Sequence, residues 1–403
     1  MNYTDEHVAL CALNKIFGYH PAIALSLMEK AGSALALFGP VISSAPTVIS
    51  SAPTVISSEA EKSPHPELLS QLTPSALEWA RTELSTLEAR GFRFVSIIDE
   101  DYPEALRECD GPPIGLYLNG SSSPTEIFGM RPMIAFVGTR DISPYGQLWC
   151  QKLVRALAEA PVQPCIVSGM AMGADGIAHR TALECGLPTI GVMATGIDSV
   201  YPWQHEKLAM EIVARPGCGL VTDYPLRTSP VALNFLRRNR IIAGLVSAVV
   251  VVESKSRGGS LMTAKYACEY NRELFALPGR IDDARSAGCN SLIHAQMARI
   301  ITSPEELVGD LGLGRLSRGP GGSWAAGAGA SLRSILARKY GEGSAQVYIG
   351  DLVRENTGIT VDAIAARLHL PHQDALTAVA LMEADGILST DILGRCSLSA
   401  NYA

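Results

Sequence analysis

Three arginines within four positions, Arg237, Arg238 and Arg240 of "NFLRRNRIIAGL" (234–245), stand just before the apolar run Ala248–Val252 in a chain of formal net charge −7. Guanidinium groups are rarely buried unless paired, and their planar fork of donors matches phosphate and carboxylate oxygens. Arg227 adds a fourth cation, and no Asp or Glu occurs between Asp223 and Glu253. The neighbouring chain offers these arginines few partners, so an anionic ligand becomes worth considering. Two turns have the right composition to help hold one. "SGMAMGADGIAH" (168–179) and "SKSRGGSLMTA" (254–264) lead small residues into helical sequence, which leaves backbone N–H groups and a helix amino terminus open to an anion. A third turn, Gly138-Thr139-Arg140, follows another apolar run. Any one of these reads equally well as a plain strand-to-helix connection. Three together with an arginine cluster read as a phosphate-binding crevice, with Arg140, Arg238 and Arg240 as its cations.

Other chemistries find less support. The spacing Gly169, Gly173, Gly176 is not G-x-G-x-x-G, and no G-x-x-x-x-G-K-[ST] occurs. Asp175 and His179 lie four apart beside a glycine turn, but no nucleophile, second acid or metal partner accompanies them, and no catalysis is expected. His369 and His372 form a lone H-x-x-H around Pro371, a weak metal signal. Nine cysteines without a C-x-x-C pair fit free thiols in a reducing compartment better than disulfides or zinc. Neither a cofactor nor a metal is expected.

The elements that must position the arginines follow from periodicity. If 234–244 is helical, Arg237 and Arg240 share one side at i and i+3, while Phe235 and Ile242 point toward a sheet. Asn239 is then a cap or a hydrogen-bond partner for a ligand. Seven short apolar runs, at 133–138, 165–169, 189–196, 220–225, 248–254, 274–279 and 298–303, alternate with helical stretches. Continuous rather than alternating hydrophobicity means strands covered on both faces, hence an α/β fold with a parallel sheet. Ligands of such sheets bind beyond the carboxyl ends of the strands, where these turns lie.

Four segments result: a helical module at 1–70 with a low-complexity insertion at 41–58, carrying "APTVISS" twice; the sheet domain at 71–311; a Gly/Ala-rich linker at 312–331; and 332–403. The last reads as helix, helix, helix and two short strands, a winged-helix pattern. Its candidate recognition helix, 372–385, has no Lys or Arg, which favours a protein-contact or regulatory role. The amino terminus lacks a basic leader, and the longest apolar run, Ile241–Val252, is too short to span a bilayer, so a cytoplasmic protein with no membrane contact is expected.

"FVGTR", "IVSGMAMGADGIAH", "GVMATGIDSVYP", "NFLRRNRIIAGL", "GGSLMTAKYACEYNRELFALPG" and "SAGCNSLI" resemble, in order and spacing, the motifs of the DNA-processing protein A (DprA/Smf) family over roughly residues 80 to 305. The resemblance implies an extended Rossmann-like sheet that binds single-stranded DNA, forms homodimers and helps load the RecA recombinase in natural transformation, without enzymatic activity. It implies DNA-binding roles for Gly138, Thr139, Arg140, Ser168, Gly169, Phe235, Arg237, Arg238, Asn239, Arg240, Gly258, Gly259 and Ser260. Leu236, Gly258 and Met172 depart from the family pattern, the last at a position where a basic residue is common. The competing reading is a Rossmann-like nucleotide hydrolase of the lysine-decarboxylase-like type. Its "PGGxGT" turn and following catalytic Glu are not matched by "SRGGSLMTA".

Overall fold

The computed structural model describes residues 3–42, 66–129, 131–314, 336–337, 339–341, 343–356, 358–385, 387–390 and 395–398. The repeat at 45–58 and most of the expected linker lie outside the described residues. The chain divides into two compact units, Met1–Ala326 and Gly327–Ala403.

The first unit is built on nine strands: β1 (Arg93–Ser96), β2 (Gly115–Asn119), β3 (Met133–Val137), β4 (Cys165–Gly169), β5 (Thr189–Val192), β6 (Gly219–Thr222), β7 (Ala248–Val251), β8 (Glu273–Ala276) and β9 (Arg299–Ile300). They lie in the order β1-β2-β6-β5-β4-β3-β7-β8-β9. From β6 to β9 every pairing is parallel, with Ala135 of β3 opposite Val167 of β4 on one side and Val249 of β7 on the other. β1 and β2 add an antiparallel margin through β2 and β6. The seven apolar runs of the sequence are β3 to β9. Both faces of the sheet are covered: Ala135, Val137, Val167 and Val249 pack on one side, and Ile134, Phe136, Ile166 and Val250 on the other. This is the doubly wound, Rossmann-like α/β architecture that continuous hydrophobic strands require.

The amino-terminal helices Asp5–Phe17 and Pro21–Ala31 share one apolar core with helix Pro74–Ala89 and with Phe94, Tyr117 and Leu220 of the sheet. Asn14 is a buried strut: its Nδ2 donates to the Asp223 carbonyl at 2.8 Å, and its Oδ1 accepts from the Gly115 N–H at 3.2 Å. The helices of the expected small amino-terminal module are packed against the sheet.

The second unit contains helices Ala345–Glu355, Val361–Leu368 and His372–Ala384 and an antiparallel sheet of β10 (Ile359–Thr360), β11 (Leu388–Thr390) and β12 (Arg395–Leu398), with β12 central. The three helices and the pair β11 and β12 come in the expected order, and β10, between the first two helices, adds a strand that was not expected.

Among the described residues, no helix is long and apolar enough to cross a membrane, and no three His, Cys, Asp or Glu side chains cluster as metal ligands. All nine cysteines are free.

Candidate nucleic-acid interface

The strand order places β3 between β4 and β7, so their three following loops diverge at the carboxyl edge of the sheet. A crevice of about 460 Å³ opens there. Its walls are Gly138, Thr139, Arg140 and Asp141 after β3, Ala171 and Asp175 after β4, and Ser254 to Ser260 (Ser256 excepted) after β7. Helix Ala232–Leu245 closes it with Phe235, Leu236, Arg238, Asn239 and Ile242. Phe235, Arg238, Asn239 and Ile242 are spaced by three, four and seven residues, so one helical stripe faces the crevice.

Arg238 is buried, with 4% of its surface exposed. Its Nη1 donates to the Val192 carbonyl at the end of β5, and its Nε lies 3.4 Å from Asn239 Oδ1. Asn239 Nδ2 donates to the Gly259 carbonyl at 3.2 Å and so ties the helix to the β7 loop. Asp175, also buried, accepts from the Ala171 N–H at 3.3 Å. Burial pushes its carboxyl up to about 6, against the opposing pull of the Arg238 charge. Gly169 permits this arrangement: a methyl there would stand 2.5 Å from Asp175 Oδ2 and 2.6 Å from Arg238 Nη2.

The loops are fixed to one another. Gly173 adopts φ +79°, and a Cβ there would meet the Thr139 and Arg140 carbonyls. The Thr139 N–H donates to the Glu253 carbonyl at 2.8 Å. Buried Glu253 accepts from the Ser143 N–H at 2.9 Å and hydroxyl at 2.5 Å, and Ser143 in turn caps helix Pro144–Glu159. Helix Ser260–Glu269 begins in the crevice wall, which brings the positive end of its dipole to the cavity.

Arg140, Lys255 and Arg257 are the exposed cations of the crevice among the described residues. Arg140 lies over the Phe235 ring, 5.1 Å from its centroid. Lys255 is 3.9 Å from Asp141, which also engages Arg285 at 3.2 Å. Arg140 and Arg257 have no carboxylate within ion-pair distance among the described residues. The crevice thus offers cations, backbone donors and a helix terminus in one place.

Nine of the thirteen expected site residues line this crevice: Gly138, Thr139, Arg140, Phe235, Arg238, Asn239, Gly258, Gly259 and Ser260. Ser168 and Gly169 lie beneath it at the end of β4, and Ser168 Oγ donates to the Phe136 carbonyl at 2.6 Å. Arg237 and Arg240 face the opposite side of their helix. There they line a separate hollow of about 760 Å³ with Tyr19, Tyr266 and Tyr270. Arg240 forms a 2.7 Å ion pair with buried Asp223 and donates to the Gly111 carbonyl at 3.0 Å, so it is not a cation of the crevice. Arg237 sits 3.7 Å from the centroid of Tyr19. Lys255 and Arg257 were missed, although their place beside Gly258 and Gly259 was a signal. His179 is wholly buried, with Nε2 donating to the Gly169 carbonyl and Nδ1 beside Thr189 Oγ1, both at 2.7 Å. It is not among the crevice residues, so it forms no dyad there with Asp175.

Fold and crevice together define a doubly wound α/β protein with a cationic cleft where its strand order diverges. Residues 93–312 match the family described as DNA recombination-mediator protein A, and the chain belongs to that family. It is 41% identical over 221 residues to Protein Smf of Synechocystis, covering 55% of this chain and 54% of that one. It is 38% identical over 233 residues to Protein Smf of Escherichia coli, covering 58% and 60%. The match thus spans little more than half the length of these curated relatives. The X-ray structure of DNA processing protein A from Streptococcus pneumoniae superposes with a TM-score of 0.61 at 27% identity, over 76% of this chain and 98% of that one.

Proposed function

We propose that this protein is a cytoplasmic single-stranded DNA-binding recombination mediator that holds incoming strands, acts as a homodimer and helps load the RecA recombinase, with no catalytic step of its own. The observation that carries the reading is the crevice, where Arg140, Lys255 and Arg257 are exposed around the fixed guanidinium of Arg238 and the start of helix Ser260–Glu269. Phosphates are the anions such a site suits, because its cations stand beside backbone donors and a helix amino terminus. Family membership supports the recombination role. Phe235 in the wall, beneath Arg140, adds an aromatic face to the cationic groove, a combination that suits unpaired nucleotides.

The test is a gel shift with a long oligo-dT strand, challenged by its duplex and by a mononucleotide. The single strand is expected to outcompete both, without added divalent cation. Equal competition by the mononucleotide, or release of product from ATP or nucleoside monophosphates, overturns the reading in favour of a nucleotide-processing enzyme.

A further inference from the structure

Beyond Phe235 the crevice wall continues into an exposed apolar surface. Tyr201 packs edge to face on Phe235 with ring centroids 5.4 Å apart, yet remains 43% exposed. Two residues on, Trp203 is 75% exposed, the most open ring among the described aromatic residues. Met172, after β4, and Leu233 and Leu236, on the helix after β6, are 42%, 50% and 42% exposed. These side chains come from the loops and helix that follow β4, β5 and β6, the strands on one flank of β3. Single exposed apolar residues need no explanation, but a ring left open while it packs on a cleft wall, as Tyr201 does on Phe235, marks a contact surface.

The segment bearing Trp203 is held firmly. His205, at the end of the turn Trp203–His205, is buried, with Nδ1 donating to the Met170 carbonyl at 3.0 Å. Gly176 lets it approach, since a Cβ there would lie 2.5 Å from the His205 ring. The backbone is anchored while the indole stays in water. A loop that merely had to connect β5 to the next helix has no need of an indole there.

We infer that Tyr201 and Trp203 extend Phe235 into a stacking surface for the unpaired bases of a strand whose phosphates lie in the crevice. The inference rests on the proposed single-strand binding and names how that strand is held. Continuity selects the occupant. Arg140 covers Phe235 and Phe235 touches Tyr201, so the cationic site passes into the aromatic one without a break. Every base has a π-face, and stacking on such rings is tolerant of sequence. A duplex buries those faces in its own stack, so this surface works for single strands alone.

Fluorescence on the full chain tests it, because Trp203 is one of four tryptophans and its signal is isolated by comparison with Trp203→Phe. The probes are oligo-dT and an abasic sugar-phosphate strand of equal length. Oligo-dT is expected to quench the emission that Trp203→Phe removes, and the abasic strand is expected to leave it unchanged. Trp203→Ala should bind oligo-dT about 5- to 150-fold more weakly, the effect of one lost base–aromatic stack, with its salt dependence unaltered. Wild-type affinity in both Trp203→Ala and Tyr201→Ala, alongside a weakened Arg140→Ala, overturns the stacking surface while leaving the crevice intact. Insensitivity of Arg140→Ala overturns the crevice instead.

Discussion

Replacing Arg140 and Arg257 together by Ala removes two exposed cations from the crevice and leaves its packed floor, Arg238 and Asn239, in place. If each contacts one phosphate, the slope of log K against log salt should fall by about 1.4, from about 0.7 per phosphate on a single strand. Between about 50 and about 200 mM salt, wild type should then lose about sevenfold more affinity than the double variant. The control is Arg240→Ala on the other side of the helix. It strands Asp223, whose side chain is 5% exposed, without its ion-pair partner. Loss of one member of a buried pair costs about 3–5 kcal/mol, so this variant should melt at lower temperature yet keep the wild-type salt slope. Equilibrium titration of fluorescent oligo-dT at several salt concentrations gives the slopes, and calorimetry gives the melting temperatures. A slope that falls in Arg240→Ala as far as in Arg140→Ala, or not at all in the double variant, would refute the division of these arginines between two sites.

Asp175 makes the crevice sensitive to pH. Its carboxyl, raised by burial to about 6, is mostly charged at pH 7 and mostly neutral at pH 5, whereas burial holds His179 down near 4 and neutral across that window. Protonation removes a negative charge beside Arg238, so oligo-dT affinity should rise as pH falls from 7 to 5, and Asp175→Asn should flatten the profile. Its native value lies above its ordinary 3.8, so the native state binds the proton more readily and this group's contribution to stability should fall as pH rises from about 4 through about 6. A wild-type affinity profile as flat as that of Asp175→Asn removes Asp175 from the site. A fragment of residues 1–326 should bind oligo-dT like the full chain, whereas one starting at residue 70 should aggregate, because it loses Leu10, Leu13 and Phe17 from a shared core. Each such side chain is worth roughly 1.5–3 kcal/mol of burial. Soluble, cooperatively melting protein from the shorter fragment would contradict this.

The parallel sheet was legible because the strands from β3 to β8 lie in continuous apolar runs closed by a break in pattern, and covered strands have no polar face to mark; β9, Arg299–Ile300, is a short exposed edge. β1 and β2 were not read as strands. "RFVS" and "GLYLN" are four and five residues long, and their antiparallel pairing with the sheet is a tertiary choice with no local period. The acid-free interval between Asp223 and Glu253 pointed correctly to an unusual cluster but misjudged one partner. Asp223 follows directly on β6, and the fold sets that strand end beside Arg240, seventeen positions along the chain. The exposure of Trp203 was not legible at all, since a tryptophan beside a helix start reads first as core.

The sequence R-R-N-R serves two purposes because consecutive helical residues are turned by about 100° from each other. Arg238 and Asn239 fall on the stripe that faces the crevice, where one grips the end of β5 and the other the β7 loop. Arg237 and Arg240 fall on the opposite side, against Tyr19 and the carbonyls of Gly18 and Gly111. Those partners belong to the amino-terminal helices and the segment that leads into β2. The helix is therefore clamped from both sides, and the far-side contacts hold the rotation at which Phe235, Leu236 and Arg238 line the crevice. A lysine at position 240 would keep the charge but not the fork that reaches a carboxylate and two carbonyls at once. The amino-terminal helices thus bear on the crevice without supplying a cation to it, by holding in register the helix that does.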